Sequence, residues 1–490
     1  MKIFLKYLIL LTCSLALFSC SKPQEEVSIA KEAELDLPQF QTYTAKEFYQ
    51  TTSIFGSSLN VDASAVLVSS DQTGIFNAYK VPVDGSPIEP LTQSTKESIF
   101  VVSWCPSDDR FLYTADEGGN ELDHLYVREE SGEVVDITPG DKLKAFFIEW
   151  HENDQQFYVA TNERDEKYFD VYRYQVKDYS RELISQNMAG YSIETISPNG
   201  QFLTLSKSNS NADSNLYLAE LTKQETLTKL ITEHQGDIEY GAYTFTKDSD
   251  YLIYSTNENG EYRQAWSYQL ETGRKTSHYE ADWDIVFSYY SNQGRYQVTG
   301  INADAQTKLD ILDTTTGKKL ALPEIPPGDL RGVNFSNDEK LMVFYVNSDT
   351  SPSNLYVHRL GSDKISRLTN SGNSSIDESN LVVGEVKRFK SFDGLDIPGI
   401  LYKPKKAEHT KVPALIWIHG GPGGQSRKGY SAVVQLLVNN GYAVFKVNHR
   451  GSSGYGKTFY HLDDKRHGDH DLKDIVYNKY YLQSLDWVDK

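Results

Sequence analysis

Between residues 54 and 380 one short signal returns seven times, and it restricts the fold more than any other feature. A small-polar turn is followed each time by an apolar strand. It reads D-A-S-A-V-L-V-S from Asp62, P-S-D-D-R-F-L-Y-T from Pro106 and E-N-D-Q-Q-F-Y-V-A from Glu152. It continues as P-N-G-Q-F-L-T-L-S from Pro198, K-D-S-D-Y-L-I-Y-S from Lys247, N-Q-G-R-Y-Q-V-T-G from Asn292 and N-D-E-K-L-M-V-F-Y-V from Asn337. The matching strand positions are Val66, Phe111, Phe157, Phe202, Tyr251, Tyr296 and Leu341, spaced 45, 46, 45, 49, 45 and 45 residues apart. A second short strand with a central tyrosine keeps step, at Tyr79, Tyr126, Tyr172, Tyr217 and Tyr356. Trp266-Ser267-Tyr268 and Leu309–Leu312 fill the two remaining places. Several short strands per unit at this period predict a β-propeller. A helical solenoid of similar period needs long 3.6-periodic runs, and none occurs here. Two stacked sandwiches would not hold so regular a spacing. Seven units predict seven blades over residues 54–380.

Residues 381–490 read differently. Val382–Lys390 alternates as a strand, Ser391-Phe392-Asp393-Gly394-Leu395 carries a tight Asp-Gly turn, and Ile397–Tyr402 returns. The apolar run Ala414–Ile418 then stops at His419-Gly420-Gly421-Pro422. That predicts a buried parallel strand running into a glycine turn. After a helical segment, Tyr442–Val447 predicts a second buried strand, followed by Gly451, Gly454 and Gly456. Strand, glycine turn, helix, strand opens a doubly wound parallel α/β sheet. His-Gly-Gly at a strand end is the oxyanion-loop signature of α/β-hydrolases. Glycine lets the backbone turn N–H groups toward the place where an oxyanion forms.

The propeller, S-F-D-G-L-D-I-P-G-I-L-Y-K-P from Ser391, I-H-G-G-P-G-G-Q from Ile418 and N-H-R-G-S-S-G-Y-G from Asn448 together resemble the prolyl oligopeptidase family of serine peptidases. In blade two, D-E-G-G-N-E-L-D-H-L-Y from Asp116 is similar to a sequence of its acylaminoacyl-peptidase and dipeptidyl-peptidase branches. The resemblance implies hydrolysis of short peptides by acyl transfer from a serine, assisted by a histidine and an aspartate. It implies a propeller that caps the site and excludes folded substrates. Gly421 would donate one oxyanion N–H, and His419 would anchor that loop. Glu121 would meet a substrate's amino terminus or form a salt bridge to the hydrolase domain. Arg450 would bind a substrate carboxylate or lock the glycine loop.

One departure from the family is decisive. No serine among the 490 residues has glycine at both −2 and +2. Ser453 has Gly451 before it but Tyr455 after it, and Ser426 has Gly424 before it but Lys428 after it. The nucleophile elbow is therefore missing, with the aspartate and histidine that follow it in this fold. The expectation is an incomplete hydrolase domain, a C-terminally truncated chain, and no peptide hydrolysis by these residues alone. The alternative is a non-catalytic, surface-tethered propeller that binds peptides or glycans. The intact glycine motifs favour the peptidase.

Residues 1–19 read as a signal peptide, with Lys2 and Lys6 before the apolar stretch Leu8–Phe18. Leu17-Phe18-Ser19-Cys20 resembles a bacterial lipoprotein signal, so Cys20 is the expected lipidation site and residues 20–53 a polar tether. The expected location is a bacterial membrane, facing the periplasm or the exterior. Cys13 leaves with the signal, so Cys105 stands alone as a buried structural thiol. A net charge of −19 argues against nucleic acid as a partner. No cofactor is implied, and nothing in the sequence specifies an oligomeric state. His467 and Asp471 stand four apart, as a helical metal pair would, but lack a third ligand, so no metal is assigned. Asp469 or Asp471 is expected to cap the helix that starts there.

Overall fold

The computed structural model describes residues 40–221, 227–421 and 423–490. The signal peptide and Cys20 lie outside the described residues. Phe40–Lys490 forms one compact unit.

Each anchor position opens, or lies next to the start of, the second strand of a four-stranded antiparallel sheet. Seven such sheets follow in order, over residues 54–90, 100–136, 145–185, 192–230, 240–279, 285–319 and 329–367. Each is a simple meander, and the first strands of neighbouring sheets meet around a common axis. This is a seven-bladed β-propeller. The second strands lie between blades and are covered on both faces, which is why they read as apolar runs. All six residues of Ala65–Ser70 are buried. The recurring tyrosine sits on the third strand and pairs with the second: Val68 opposite Tyr79, Tyr113 opposite Tyr126, Phe344 opposite Tyr356. The Tyr113–Tyr126 and Phe344–Tyr356 rings stack at 5.2 and 5.8 Å. The ring closes where Val66, Val68 and Tyr79 of blade one pack with Val343, Tyr345 and Leu355 of blade seven. There the Tyr345 hydroxyl donates to the Gly56 carbonyl at 2.6 Å.

The expected tether does not extend to residue 53. Thr44 and Glu47 form a capping box on helix α1, Ala45–Tyr49. Phe48 is fully buried and, with Tyr43, packs on Ile376, Leu381 and the start of helix α2, Ala432–Asn439. An apolar pair inside a polar stretch is enough to fold it down.

The C-terminal sheet has the strand order Glu385–Lys390, Asp396–Tyr402, Ala443–Val447, Ala414–Ile418. The first two pairings are antiparallel and the last is parallel. Helix α2 covers one face, with Val434 and Val438 against Ile400, Tyr402 and Val444. A short helix α3, Lys457–Tyr460, precedes α4, His470–Ser484. Helix α4 covers the other face, with Leu482 against Phe389, Leu401 and Phe445. Helices on both faces make this part of a doubly wound α/β-hydrolase sheet. One expectation is corrected. Ala414–Ile418 is an edge strand among the described residues, with Leu415, Trp417 and Ile418 exposed by 38%, 39% and 53%. Its apolar pattern on both faces matches a central strand, whereas only Ala443–Val447 pairs along it. Near its start, Val412 pairs in parallel with Val488.

Candidate active site

The strand Ala414–Ile418 delivers His419 to the rim of the sheet, and the chain then turns through glycines. Gly421 has φ +98°, a value that strains any side chain. A Cβ on Gly424 would stand 2.6 Å from the Gly420 carbonyl oxygen, and one on Gly423 2.6 Å from the Tyr460 ring. The glycine run is therefore fixed by close packing as well as by backbone angle. Gly421 is exposed, and its N–H bonds to no other described residue.

His419 holds this turn from below. Its Nε2 lies 2.9 Å from Ser452 Oγ. The Ser452 hydroxyl donates to the His449 carbonyl at 2.6 Å, so its oxygen accepts from His419 Nε2–H. The ring also stacks on His449, centroid to centroid at 4.8 Å. Burial, with the neighbouring His449 adding to it, holds the His419 pKa below its ordinary value. The His419 Nδ1 lies 3.2 Å from the Gly420 carbonyl, so both ring nitrogens are engaged and the ring acts as an anchor for the turn. Two further bonds zip the glycine turn to the loop after the Ala443–Val447 strand. The Ser426 N–H donates to Asn448 Oδ1 at 2.6 Å, and the Ser453 N–H to the Gly424 carbonyl at 3.0 Å.

Arg450 is not available to a substrate, which corrects its reading as a substrate-binding residue. It is 2% exposed. Its Nε and one terminal nitrogen each lie 2.9 Å from Asp474 carboxylate oxygens. The other terminal nitrogen lies 2.9 Å from Asp393. The Phe392 ring closes one face at 4.6 Å. Arg450 thus ties the Asp393-Gly394 turn to helix α4 and fixes the start of Arg450–Gly456.

Three propeller loops reach these glycine segments. Glu261 of blade five accepts from the Thr458 N–H at 2.9 Å and the Thr458 hydroxyl at 2.8 Å. Asn302 of blade six donates to Gln425 Oε1 at 2.9 Å and also meets Arg427. Asp349 of blade seven accepts from Tyr402, Gly429 and Gly384. All three lie at or beyond the end of a second strand. Glu121 occupies the corresponding loop of blade two, at φ +59° and exposed. Its carbonyl accepts from Lys144 Nζ at 2.8 Å. It therefore belongs to the propeller face that meets the hydrolase segment. A cavity of about 620 Å³ lies at the opposite mouth, lined by the anchor turns at Pro106, Glu152, Pro198, Lys247, Asn292 and Asn337.

Sequence reasoning missed Ser452, His449, Asp474, Asp393 and the inter-segment loops. One signal existed. An asparagine stands five or six residues after the anchor in blades three, five, six and seven, at Asn162, Asn257, Asn302 and Asn347, in or just after the second strand. Asn162 and Asn257 accept from backbone N–H groups of their own blades. Asn302 and Asn347 instead turn to the hydrolase segment.

Cys105 is buried and unpaired, and burial pushes its pKa up to about 12, so it stays a thiol. Asp469 stands at the N-cap of α4, as expected, but its side chain makes no cap bond. Asp469 pairs with Lys473 at 2.7 Å, while Asp471 Oδ1 accepts from the Gly468 and Leu472 N–H groups.

Residues 92–371 match the family model of the prolyl oligopeptidase N-terminal β-propeller domain, and residues 428–490 that of the prolyl oligopeptidase family. The chain belongs to the prolyl oligopeptidase family. It is 25% identical over 405 residues to dipeptidyl aminopeptidase BIII of Pseudoxanthomonas mexicana, covering 79% of this chain and 58% of that protein. It is 20% identical over 486 residues to a prolyl endopeptidase of Elizabethkingia miricola, covering 94% and 66%. A puromycin-hydrolyzing peptidase of Mycobacterium tuberculosis superposes with TM-score 0.74 at 12% identity, covering 93% of this chain and 75% of that one. The chain thus spans 58% and 66% of these two curated relatives.

Proposed function

We propose that these residues form the gating propeller and the oxyanion-side part of a serine peptidase that hydrolyses short peptides by acyl transfer. The observation that carries this reading is the Gly421 turn: an exposed N–H on a positive-φ glycine, next to the anchoring His419 and bonded to no other described residue. Such a preset donor serves a developing oxyanion and has little other use. Family membership supports the same reading. The second oxyanion N–H belongs to the residue after the nucleophile. The 490 residues contain no Gly-x-Ser-x-Gly, so by themselves they are expected to turn over nothing. Glu121, on the propeller face toward the hydrolase segment, is the proposed contact for a substrate's ammonium group. The lipoprotein-like Leu17–Cys20 supports export and anchoring through Cys20.

The test uses the full protein that carries these residues. Dipeptidyl and N-acyl-aminoacyl p-nitroanilides are assayed with and without a fluorophosphonate. Hydrolysis abolished by the reagent, with one serine labelled, is the expected result. No hydrolysis of either substrate, or hydrolysis indifferent to the reagent, would refute the reading.

A further inference from the structure

The loop between α3 and α4 brings together three metal-ligating side chains that the active-site geometry does not use. One oxygen each of Asp463 and Asp471 and one ring nitrogen of His467 lie within 4.8 Å of one another. The third partner is Asp463, which the fold brings to the pair. The residue is buried, with a relative exposure of 6%. Its Oδ2 meets no hydrogen-bond donor. A buried carboxylate oxygen with no donor is costly, and a bound cation would remove that cost. The carboxylate also has a seat: it lies against Gly451, where a Cβ would come within 2.2 Å of Asp463 Cγ.

Asp471 is arranged as a supported ligand. Its Oδ1 accepts from the Gly468 and Leu472 N–H groups at 2.7 and 2.8 Å. That leaves Oδ2 to face His467 Nδ1, at 2.8 Å. Backbone bonds of this kind orient a ligating carboxylate. The His467 side chain is 66% exposed, so water can fill further coordination positions.

We propose that Asp463, His467 and Asp471 bind one divalent transition-metal cation of the zinc type. An imidazole with two carboxylates suits such an ion, with ligand distances closing to about 2.0–2.2 Å. The cation ties the 461–469 loop to the first turn of α4. Through Asp463 it also presses that loop on Gly451, next to Ser452, which holds His419. The site is structural, and it stands apart from the acyl-transfer chemistry.

The chelator-treated chain is titrated with zinc chloride by calorimetry, and its melting temperature and amide exchange are read with and without zinc. One saturable site per chain is expected, with at least ten-fold weaker affinity in Asp463→Asn and in His467→Ala. Zinc is expected to raise the melting temperature and to slow exchange over residues 449–456 and 461–470, in the wild type only. His467 is exposed, so His467→Ala keeps the test open if Asp463→Asn folds poorly. Absence of a saturable site, or unchanged affinity in His467→Ala, overturns the proposal.

Discussion

Asp349 joins blade seven to the hydrolase sheet, and its replacement should open that joint. The side chain is 1% exposed. Its Oδ1 accepts from the Tyr402 hydroxyl at 2.7 Å and the Gly429 N–H at 2.9 Å. Its Oδ2 accepts from the Gly384 N–H at 3.0 Å and faces Lys428 Nζ at 3.7 Å. A hydrogen bond to a charged acceptor is worth about 1.5–3 kcal/mol, but bonds that share one carboxylate do not add. Removing one partner of a buried charged cluster costs about 3–5 kcal/mol, and Asp349→Ala is expected to fall there. Asp349→Asn keeps an oxygen for Tyr402 and Gly429 but turns an NH₂ group against the Gly384 N–H, so about 2 kcal/mol is expected. Tyr402→Phe removes one donor, at about 1–2 kcal/mol. Propeller and hydrolase segment can unfold separately, so a global transition is a poor readout. Amide exchange at residues 382–390 and 428–436 reports the local opening free energy. The expected order of destabilisation is Asp349→Ala, then Asp349→Asn, then Tyr402→Phe. Wild-type exchange in Asp349→Ala would refute the reasoning.

Three further outcomes are expected. Ser452→Ala removes the acceptor of His419 Nε2–H; amide exchange over residues 419–426 should rise by about 1–2 kcal/mol of opening free energy, and an unchanged rate would contradict the anchor role. Arg450→Lys keeps the charge but loses the fork that spans Asp393 and Asp474. It should destabilise α4 by about 2 kcal/mol or more, read by exchange at residues 470–484. The third concerns pH. His151, His278 and His419 all have pKa values held below the ordinary 6.5, burial being the first cause in each. The unfolded chain therefore takes these protons first. Their contribution to stability is full above pH 6.5 and is lost as pH falls below it toward the folded values. Opening free energies read by amide exchange around residues 151, 278 and 419 should decline from pH 8 to 5, and His278→Gln should flatten the decline around residue 278; a flat profile in the wild type would contradict it.

The propeller was legible because its second strands are buried on both faces and its third strands repeat a stacked tyrosine. The first and fourth strands were not. First strands such as Ser192–Ile196 are only partly buried, and fourth strands such as Glu89–Pro90 and Lys318–Lys319 have two residues each. The glycine turn at His419–Gly421 was legible because its chemistry needs glycine at fixed places. Its supports were not. Ser452 and His449 lie some thirty residues beyond His419 and meet it only because two strands run in parallel. The sequence left Arg450 between binding a substrate carboxylate and locking the glycine loop, because its partners, Asp393 and Asp474, lie on either side of it in sequence at distances that carry no pattern. Trp417 and Ile418 misled in the opposite way: an apolar run says that a strand wants cover, not which strand supplies it.

The most direct test concerns Gly421, in the full protein that carries these residues. Gly421→Ala adds a methyl group at φ +98° and turns the N–H away from its preset direction. The expected result is a fall in kcat of about 10²–10³-fold with little change in KM, the signature of an interaction made only in the transition state. A wild-type kcat in Gly421→Ala, with the fold intact, would contradict the assignment of this turn as the oxyanion donor.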